Sequence, residues 1–166
     1  MSMIGEYARI TPDELKRALS DPDWAYDFVQ ELLDEQEEVD QPSGQARCLD
    51  TDKAWDAIGF LLRRVGFSVD IVHGEQLIPG ADDWGYGPPC YLTPERVRIA
   101  AESLPSTSFE TLVQGVTPGE LSQADVYPQI WSDLSALDYV RHHYESLSPF
   151  FAAAAEEGDA VLVWLD

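Results

Sequence analysis

The chain ends in the stretch Ala160-Val161-Leu162-Val163-Trp164-Leu165, which is apolar at every position. Six consecutive apolar residues just after Gly158, a residue typical of helix ends, predict a strand that is buried on both faces. Residues 3–10 at the opposite end of the chain alternate in character and predict a first strand. Because helical patterns fill most of the chain between these two strands, the sequence predicts an α+β fold.

Helix starts are marked by threonine-proline pairs. Thr11-Pro12, Thr93-Pro94 and Thr117-Pro118 each place a capping hydroxyl before a proline, whose fixed backbone suits the first helical position. Asp21-Pro22 predicts a further, strongly acidic helix. A strand is predicted at Phe67–Val72, and a helical stretch carrying Leu134 is predicted from about Ser132. We expect a small, mostly antiparallel sheet that includes both terminal strands and is covered by several helices.

The length and composition predict one domain spanning residues 1–166. The chain has 45% hydrophobic and 11% aromatic residues, which is enough apolar surface to build a core. Residues 73–90 are rich in Gly, Pro and Asp and predict a long loop, which in a compact domain is often functional. No internal repeat or domain boundary is evident.

The net charge of −21 is the strongest compositional signal. No Lys or Arg occurs between Ala18 and Ala46, where nine acidic residues fall. Such a field repels phosphate backbones, so we expect no direct binding of nucleic acid. Two interpretations stay open: the charge attracts a basic partner protein or a cationic ligand, or it only keeps the surface solvated.

Further classes of protein are disfavoured by missing signals. The N-terminus has no basic region followed by an apolar stretch, and no run of about 18 apolar residues occurs, so we predict a cytoplasmic protein without a membrane span. Cys48 and Cys90 are isolated and are expected to be reduced thiols. No P-loop, dinucleotide fingerprint or zinc motif is present, and the sequence predicts neither a metal nor a cofactor.

Several short segments together resemble the YfbM-like family of small bacterial proteins of unknown function. The segments are Met3-Ile4-Gly5, Asp52-Lys53-Ala54-Trp55-Asp56, Tyr91-Leu92-Thr93-Pro94-Glu95-Arg96-Val97, Tyr127-Pro128 and Gly158-Asp159-Ala160-Val161-Leu162. The resemblance implies a compact single α+β domain and carries no established activity. Relatives often have a histidine in the helix that follows Asp52, where this chain has Gly59.

Candidate site residues each have a structural alternative. Glu6 shares a strand face with apolar residues, so its carboxylate needs either an ion-pair partner or a raised pKa. Asp52 follows Asp50 in a pattern superficially like an aspartyl-phosphate site, and it could also hold a cation together with Asp56, but helix capping is the simpler interpretation.

The remaining candidates are aromatic residues and a histidine. Trp55 belongs to a helix pattern and is predicted to line a site with Glu6. His73 ends a predicted strand, where it is either a general base or a hydrogen-bonded turn residue. Trp84 and Tyr86 either form an exposed aromatic clamp or tuck onto the core.

Two functional hypotheses follow from these patterns. The first is an interaction module, such as an acidic inhibitor or immunity-type protein, that binds a basic protein. The alternative is a small-molecule enzyme or ligand-binding protein whose site gathers Glu6, Trp55, His73 and the loop of Trp84 and Tyr86. The oligomeric state stays open.

Overall fold

A five-stranded antiparallel sheet forms the centre of the molecule. The computed structural model describes residues 2–133 and 135–166, so the predicted helical position of Leu134 lies outside the described residues. The spatial order of the strands is β2-β1-β5-β4-β3. Both terminal strands lie in the sheet, which confirms the predicted α+β architecture. The strands are β1 (Gly5–Ile10), β2 (Cys48–Asp50), β3 (Gln76–Leu77), β4 (Cys90–Leu92) and β5 (Ala160–Leu165).

The helices begin where the threonine-proline pairs predict them. Thr11 caps the first helix, because its side chain accepts a hydrogen bond from the amide of Glu14 and the Glu14 carboxylate accepts one from the amide of Thr11. The helices are α1 (Pro12–Ser20), α2 (Pro22–Glu37), α3 (Trp55–Arg64), α4 (Pro94–Ser103), α5 (Phe109–Val113), α6 (Pro118–Gln123), α7 (Ala136–Glu145) and α8 (Leu147–Glu157), with 3-10 turns at Asp52–Ala54 and Leu104–Ser106.

Helices cover both faces of the sheet, which explains the unbroken apolar sequence of β5. Val161 and Val163 pack into one core with Tyr7 and with α3, α4, α7 and α8. Leu162 and Trp164 point the other way, into a second core with α1, α2 and the loop around Trp84. We call these the α8 side and the α2 side of the sheet.

The predicted strand at Phe67–Val72 is wrong. These residues form irregular turns after α3, although Val69, Ile71 and Val72 are buried as the apolar pattern requires. The carboxylate of Asp70 accepts hydrogen bonds from the amides of Val72 and His73. A side chain that binds nearby backbone donors in this way replaces the partners that a strand ladder would supply.

Three other boundaries differ from the sequence-based expectation. The sequence predicts no strand around residue 49, yet Cys48–Asp50 pairs with β1 as an edge strand. The predicted loop at 73–90 contains the two-residue strand β3. The helical stretch expected from Ser132 begins instead at Ala136 and gives way to α8 at Leu147. Pairing with a formed neighbour and helix packing override weak local preferences at these places.

Candidate functional site

A surface cavity of about 310 Å³ lies on the α2 side of the sheet. It forms where the first turns of α2 meet the loop that precedes β4. The cavity therefore joins the acidic helix to the Gly- and Asp-rich loop, two segments that lie far apart in the sequence. Its lining residues are Pro22, Asp23, Tyr26, Asp27, Asp82, Asp83 and Trp84.

Two aromatic rings form walls of this cavity. Trp84 is only 6% exposed and packs edge to face against Trp164 of β5, with ring centroids 5.3 Å apart. Tyr26 packs against Trp84 at 5.6 Å with an interplanar angle of 75°, and it is 44% exposed. One ring is thus anchored on the core while the other stands nearly perpendicular to it and faces solvent.

The loop that carries Trp84 is fastened to the end of β5. The amide of Trp84 donates to the carbonyl of Gly87 (2.9 Å), and the amide of Tyr86 donates to the carbonyl of Leu165 (2.9 Å). Gly85 has φ of +128°, and a Cβ there would lie 2.8 Å from the Cα of Asp166. Only glycine meets both conditions, so its presence permits the close approach that seats Trp84.

Four exposed carboxylates surround the aromatic walls. Asp23 and Asp27 come from α2, while Asp82 and Asp83 come from the loop. Within residues 2–133 and 135–166, none of the four forms a salt bridge. The arginines that do pair with carboxylates lie outside the cavity, and they are Arg9 with Asp159, Arg47 with Glu14, Arg96 with Glu75 and Arg141 with Glu110.

Glu6 lies on the same side of the sheet as this cavity but does not line it. In the strand register it stands opposite Asp50 on one neighbour and Trp164 on the other. Burial, and then the negative charges of Asp50 and Asp166, raise its pKa to about 8. The described residues give its carboxylate no ion pair, so the raised pKa agrees with the second of the two alternatives that the sequence leaves open.

Asp52 and Trp55 lie near the α8 side and hold the backbone in place. The hydroxyl of Tyr139 donates to the Asp52 carboxylate at 2.5 Å, and the indole of Trp55 donates to the carbonyl of Met3 at 3.0 Å. Burial and then the hydrogen bond to Asp52 raise the pKa of the Tyr139 hydroxyl. These contacts tie three of the resembling segments together, because the Met3 amide also donates to the hydroxyl of Tyr127.

His73 is a turn residue in this structure. Its amide donates to Asp70, and its imidazole Nδ1 lies 3.5 Å from the same carboxylate and packs edge-on against Trp55 at 6.0 Å. Burial alone would raise the pKa of Asp70, but hydrogen bonds from His73 bring it below its usual range. Asp70 and His73 therefore stabilise the turn that replaces the predicted strand.

The sequence-predicted site residues fall into separate groups. Trp84 meets Trp164, which stands beside Glu6, so these two candidates share the α2 side. Trp55 and His73 contact each other on the opposite side of the sheet, the α8 side. The sequence leaves open whether Trp84 and Tyr86 are exposed or pack onto the core. Tyr86 is 39% exposed near the end of β5, whereas Trp84 is buried against the core, so each alternative holds for one residue.

Sequence reasoning missed Tyr26, Asp23 and Asp27 as cavity residues. Their signal is the helical spacing i, i+3, i+4, which places all three on one face of α2 while Ala25 and Val29 face the core. The sequence alone gives the spacing but does not reveal that Trp84 packs against this face.

Comparison with known proteins supports the fold. The model of a domain of unknown function, DUF1877, matches residues 1–164. The chain belongs to the DUF1877 family. Its structure is similar to the crystal structure of YfbM from Escherichia coli, a protein of unknown function, with a TM-score of 0.69 and 18% sequence identity over 98% of this chain and 99% of that chain. No curated protein matches the chain.

Membership of this family confirms the resemblance inferred from the short segments, and the likeness to YfbM concerns the fold alone. Gly59 lies on α3 beside a cavity of about 220 Å³. Among residues 2–133 and 135–166, no group of three or more His, Cys, Asp or Glu is arranged to hold a metal ion. No helix in the same part of the chain is both long and apolar enough to cross a membrane.

Proposed function

We propose that this protein is an interaction module that binds a basic protein through its acidic α2 face, meaning the exposed side of α2 together with residues 82–86. One observation carries the proposal. Four carboxylates surround an aromatic cavity on this face, and within the described residues none of them forms a salt bridge. Like charges held together raise the energy of the free surface, and a cationic partner relieves that repulsion.

The charge of the whole chain also supports binding of a basic partner. A net charge of −21 attracts basic proteins over several ångströms and accelerates their association, an effect that salt screens. The absence of Lys and Arg between residues 18 and 46 concentrates this field on α2. A face that only needed to be solvated would require neither an exposed tyrosine nor an anchored tryptophan among its carboxylates.

The enzymatic alternative lacks a comparable arrangement. Its proposed residues are divided by the sheet, since Trp55 and His73 lie on the α8 side while Glu6 and Trp84 lie on the α2 side. The raised pKa of Glu6 is accounted for by burial and two neighbouring carboxylates. We therefore base the proposal on the acidic α2 face.

The test compares two charge-neutralised variants that gain the same net charge. The first replaces Asp23, Asp27, Asp82 and Asp83 by asparagine. The control replaces four exposed glutamates on α4 and α8 by glutamine, at Glu95, Glu102, Glu156 and Glu157. Binding of a short blocked peptide of alternating arginine and glycine is measured by calorimetry at low and at high salt.

We expect the first variant to bind the peptide at least about tenfold more weakly than the wild type, and the control to stay within about twofold. Wild-type affinity should fall steeply as salt rises. Equal losses in both variants would show that only the overall charge matters, and affinity that is indifferent to salt would also contradict the proposal.

A further inference from the structure

We propose that the cavity between α2 and the 82–86 loop is a socket for one arginine side chain of the basic partner. This inference rests on the proposed function and names the group that the acidic α2 face recognises. The cavity volume of about 310 Å³ is at the lower end of the roughly 300–1,000 Å³ found for small-molecule sites. A single long side chain suits this space better than a cofactor or nucleotide.

The shape of the walls favours a planar cation. Tyr26 exposes part of its ring beside the cavity, and Trp84 stands at 75° to it as a second wall. A guanidinium group stacks flat on an exposed aromatic ring and gains cation–π attraction there. A lysine ammonium has no plane to stack and is more strongly hydrated, so it gains less from the same wall.

The charges favour a group with several donors. Asp23 and Asp27 approach the cavity from α2, and Asp82 and Asp83 approach it from the loop. The five N–H donors of a guanidinium diverge in a fixed fork and can serve carboxylates from both segments. An anion is disfavoured at this position, because the Asp21 side chain already accepts from the Trp24 amide at the start of α2 and every charged group that lines the cavity is a carboxylate.

The indole of Trp84 supplies a hydrogen-bond donor of its own. Trp55 and Trp131 donate their indole N–H groups to backbone carbonyls. The indole N–H groups of Trp24, Trp84 and Trp164 donate no hydrogen bond within residues 2–133 and 135–166, and of these three tryptophans Trp84 lines the cavity. Every fully inaccessible side-chain nitrogen and oxygen in this part of the chain has a hydrogen-bond partner. Because the Trp84 N–H has none, it must be accessible to solvent, although the residue as a whole is only 6% exposed. A backbone carbonyl of a bound peptide satisfies such a donor. The preferred ligand is therefore arginine within a peptide rather than a free guanidine.

Three blocked tripeptides test this socket directly. They are N-acetyl-glycyl-arginyl-glycinamide and its analogues with lysine and with citrulline, which has nearly the shape of arginine but no charge. Binding is followed by amide and indole N–H resonances of the labelled protein, with the Trp84 indole assigned from Trp84→Phe. The variant Tyr26→Leu removes the stacking wall at an exposed position and should keep the fold.

We expect the arginine peptide to shift the Trp84 indole resonance and the amides of residues 23–27 and 82–86. The lysine peptide should bind several-fold more weakly, and the citrulline peptide at least about tenfold more weakly. Tyr26→Leu should bring the arginine and lysine affinities together.

Equal shifts with arginine and citrulline, an arginine preference that survives Tyr26→Leu, or shifts confined to other surfaces would overturn the socket. If the longer basic peptide still requires the four aspartates in that case, the proposed function stands without it. If the longer peptide fails to bind as well, both proposals fall.

Discussion

The two sides of the sheet use aromatic residues and charges in opposite ways. On the α8 side Tyr7 packs edge-on against Phe150 and Phe151, and all three rings are essentially inaccessible. On the α2 side aromatic rings extend from the buried Trp164 through Trp84 to the exposed Tyr26, and the carboxylates beside them form no salt bridge among the described residues. The α8 side therefore buries these aromatic rings completely, whereas the α2 side, to which we assign recognition in our proposal, leaves one ring exposed; β5 contributes alternate residues to both sides.

The largest expected effect distinguishes the two sides by stability. Phe150→Ala removes a fully buried ring on the α8 side and should lower the free energy of unfolding by about 3–5 kcal/mol. Tyr26→Ala removes a ring that is 44% exposed and should cost about 1 kcal/mol or less. Urea denaturation of both variants measures the difference. Equal costs would show that Tyr26 belongs to the core and would remove the contrast between the sides.

The next effect concerns pH and Glu6. Its pKa of about 8 in the folded protein exceeds its ordinary value of 4.5, so the folded state keeps a proton that the unfolded chain releases between these values. The contribution of this bound proton to the free energy of unfolding is fully present below the ordinary pKa of 4.5 and is lost as the pH rises toward the folded-state pKa of about 8. Between about pH 5 and about pH 8, the wild type should lose about 3–4 kcal/mol relative to Glu6→Gln.

Denaturation curves of both proteins across this pH range provide the measurement, with the exposed Glu31→Gln as a control that should follow the wild type. A constant difference between wild type and Glu6→Gln would show that the Glu6 carboxyl is ionised throughout. A difference that grows in favour of the wild type would reverse the sign of the linkage.

A smaller effect tests how the 82–86 loop is seated. Gly85→Ala should cost about 2 kcal/mol, because a Cβ there collides with the backbone at Asp166 and the backbone angle is unfavourable for alanine. Gly80→Ala, in the same loop region with positive φ but open space around it, should cost about 1 kcal/mol. Thermal unfolding of the two variants ranks them, and the reverse order would contradict the close approach of the loop to β5.

The sequence predicts the parts of this structure that depend on local patterns. The apolar run at Ala160–Leu165 and the capping threonines at 11, 93 and 117 act within a few residues, so both terminal strands and three helix starts are predicted correctly. The strand at Phe67–Val72 is predicted wrongly, because its burial pattern also suits a turn that Asp70 stabilises through its side chain.

The candidate site depends on contacts between distant segments. Trp84 and Tyr86 are identified from the composition of their loop, but Tyr26 becomes a partner of Trp84 only when α2 packs on β5. The acidic neighbours of Glu6 likewise come from β2 and from the end of the chain, which strand register brings together. The spacing of residues within one segment does not indicate which distant segment will pack against it. The sequence alone therefore predicts individual candidate residues but not the cavity that they form together.

The most direct measurement of the central claim is to map where a basic peptide contacts the protein. Amide resonances of the uniformly labelled protein are recorded during titration with the alternating arginine-glycine peptide at low and at high salt. We predict salt-sensitive shifts concentrated at residues 22–30 and 82–86 on the α2 side. Shifts concentrated on α4, α7 and α8, or spread evenly over both sides, would contradict the assignment of recognition to the α2 side.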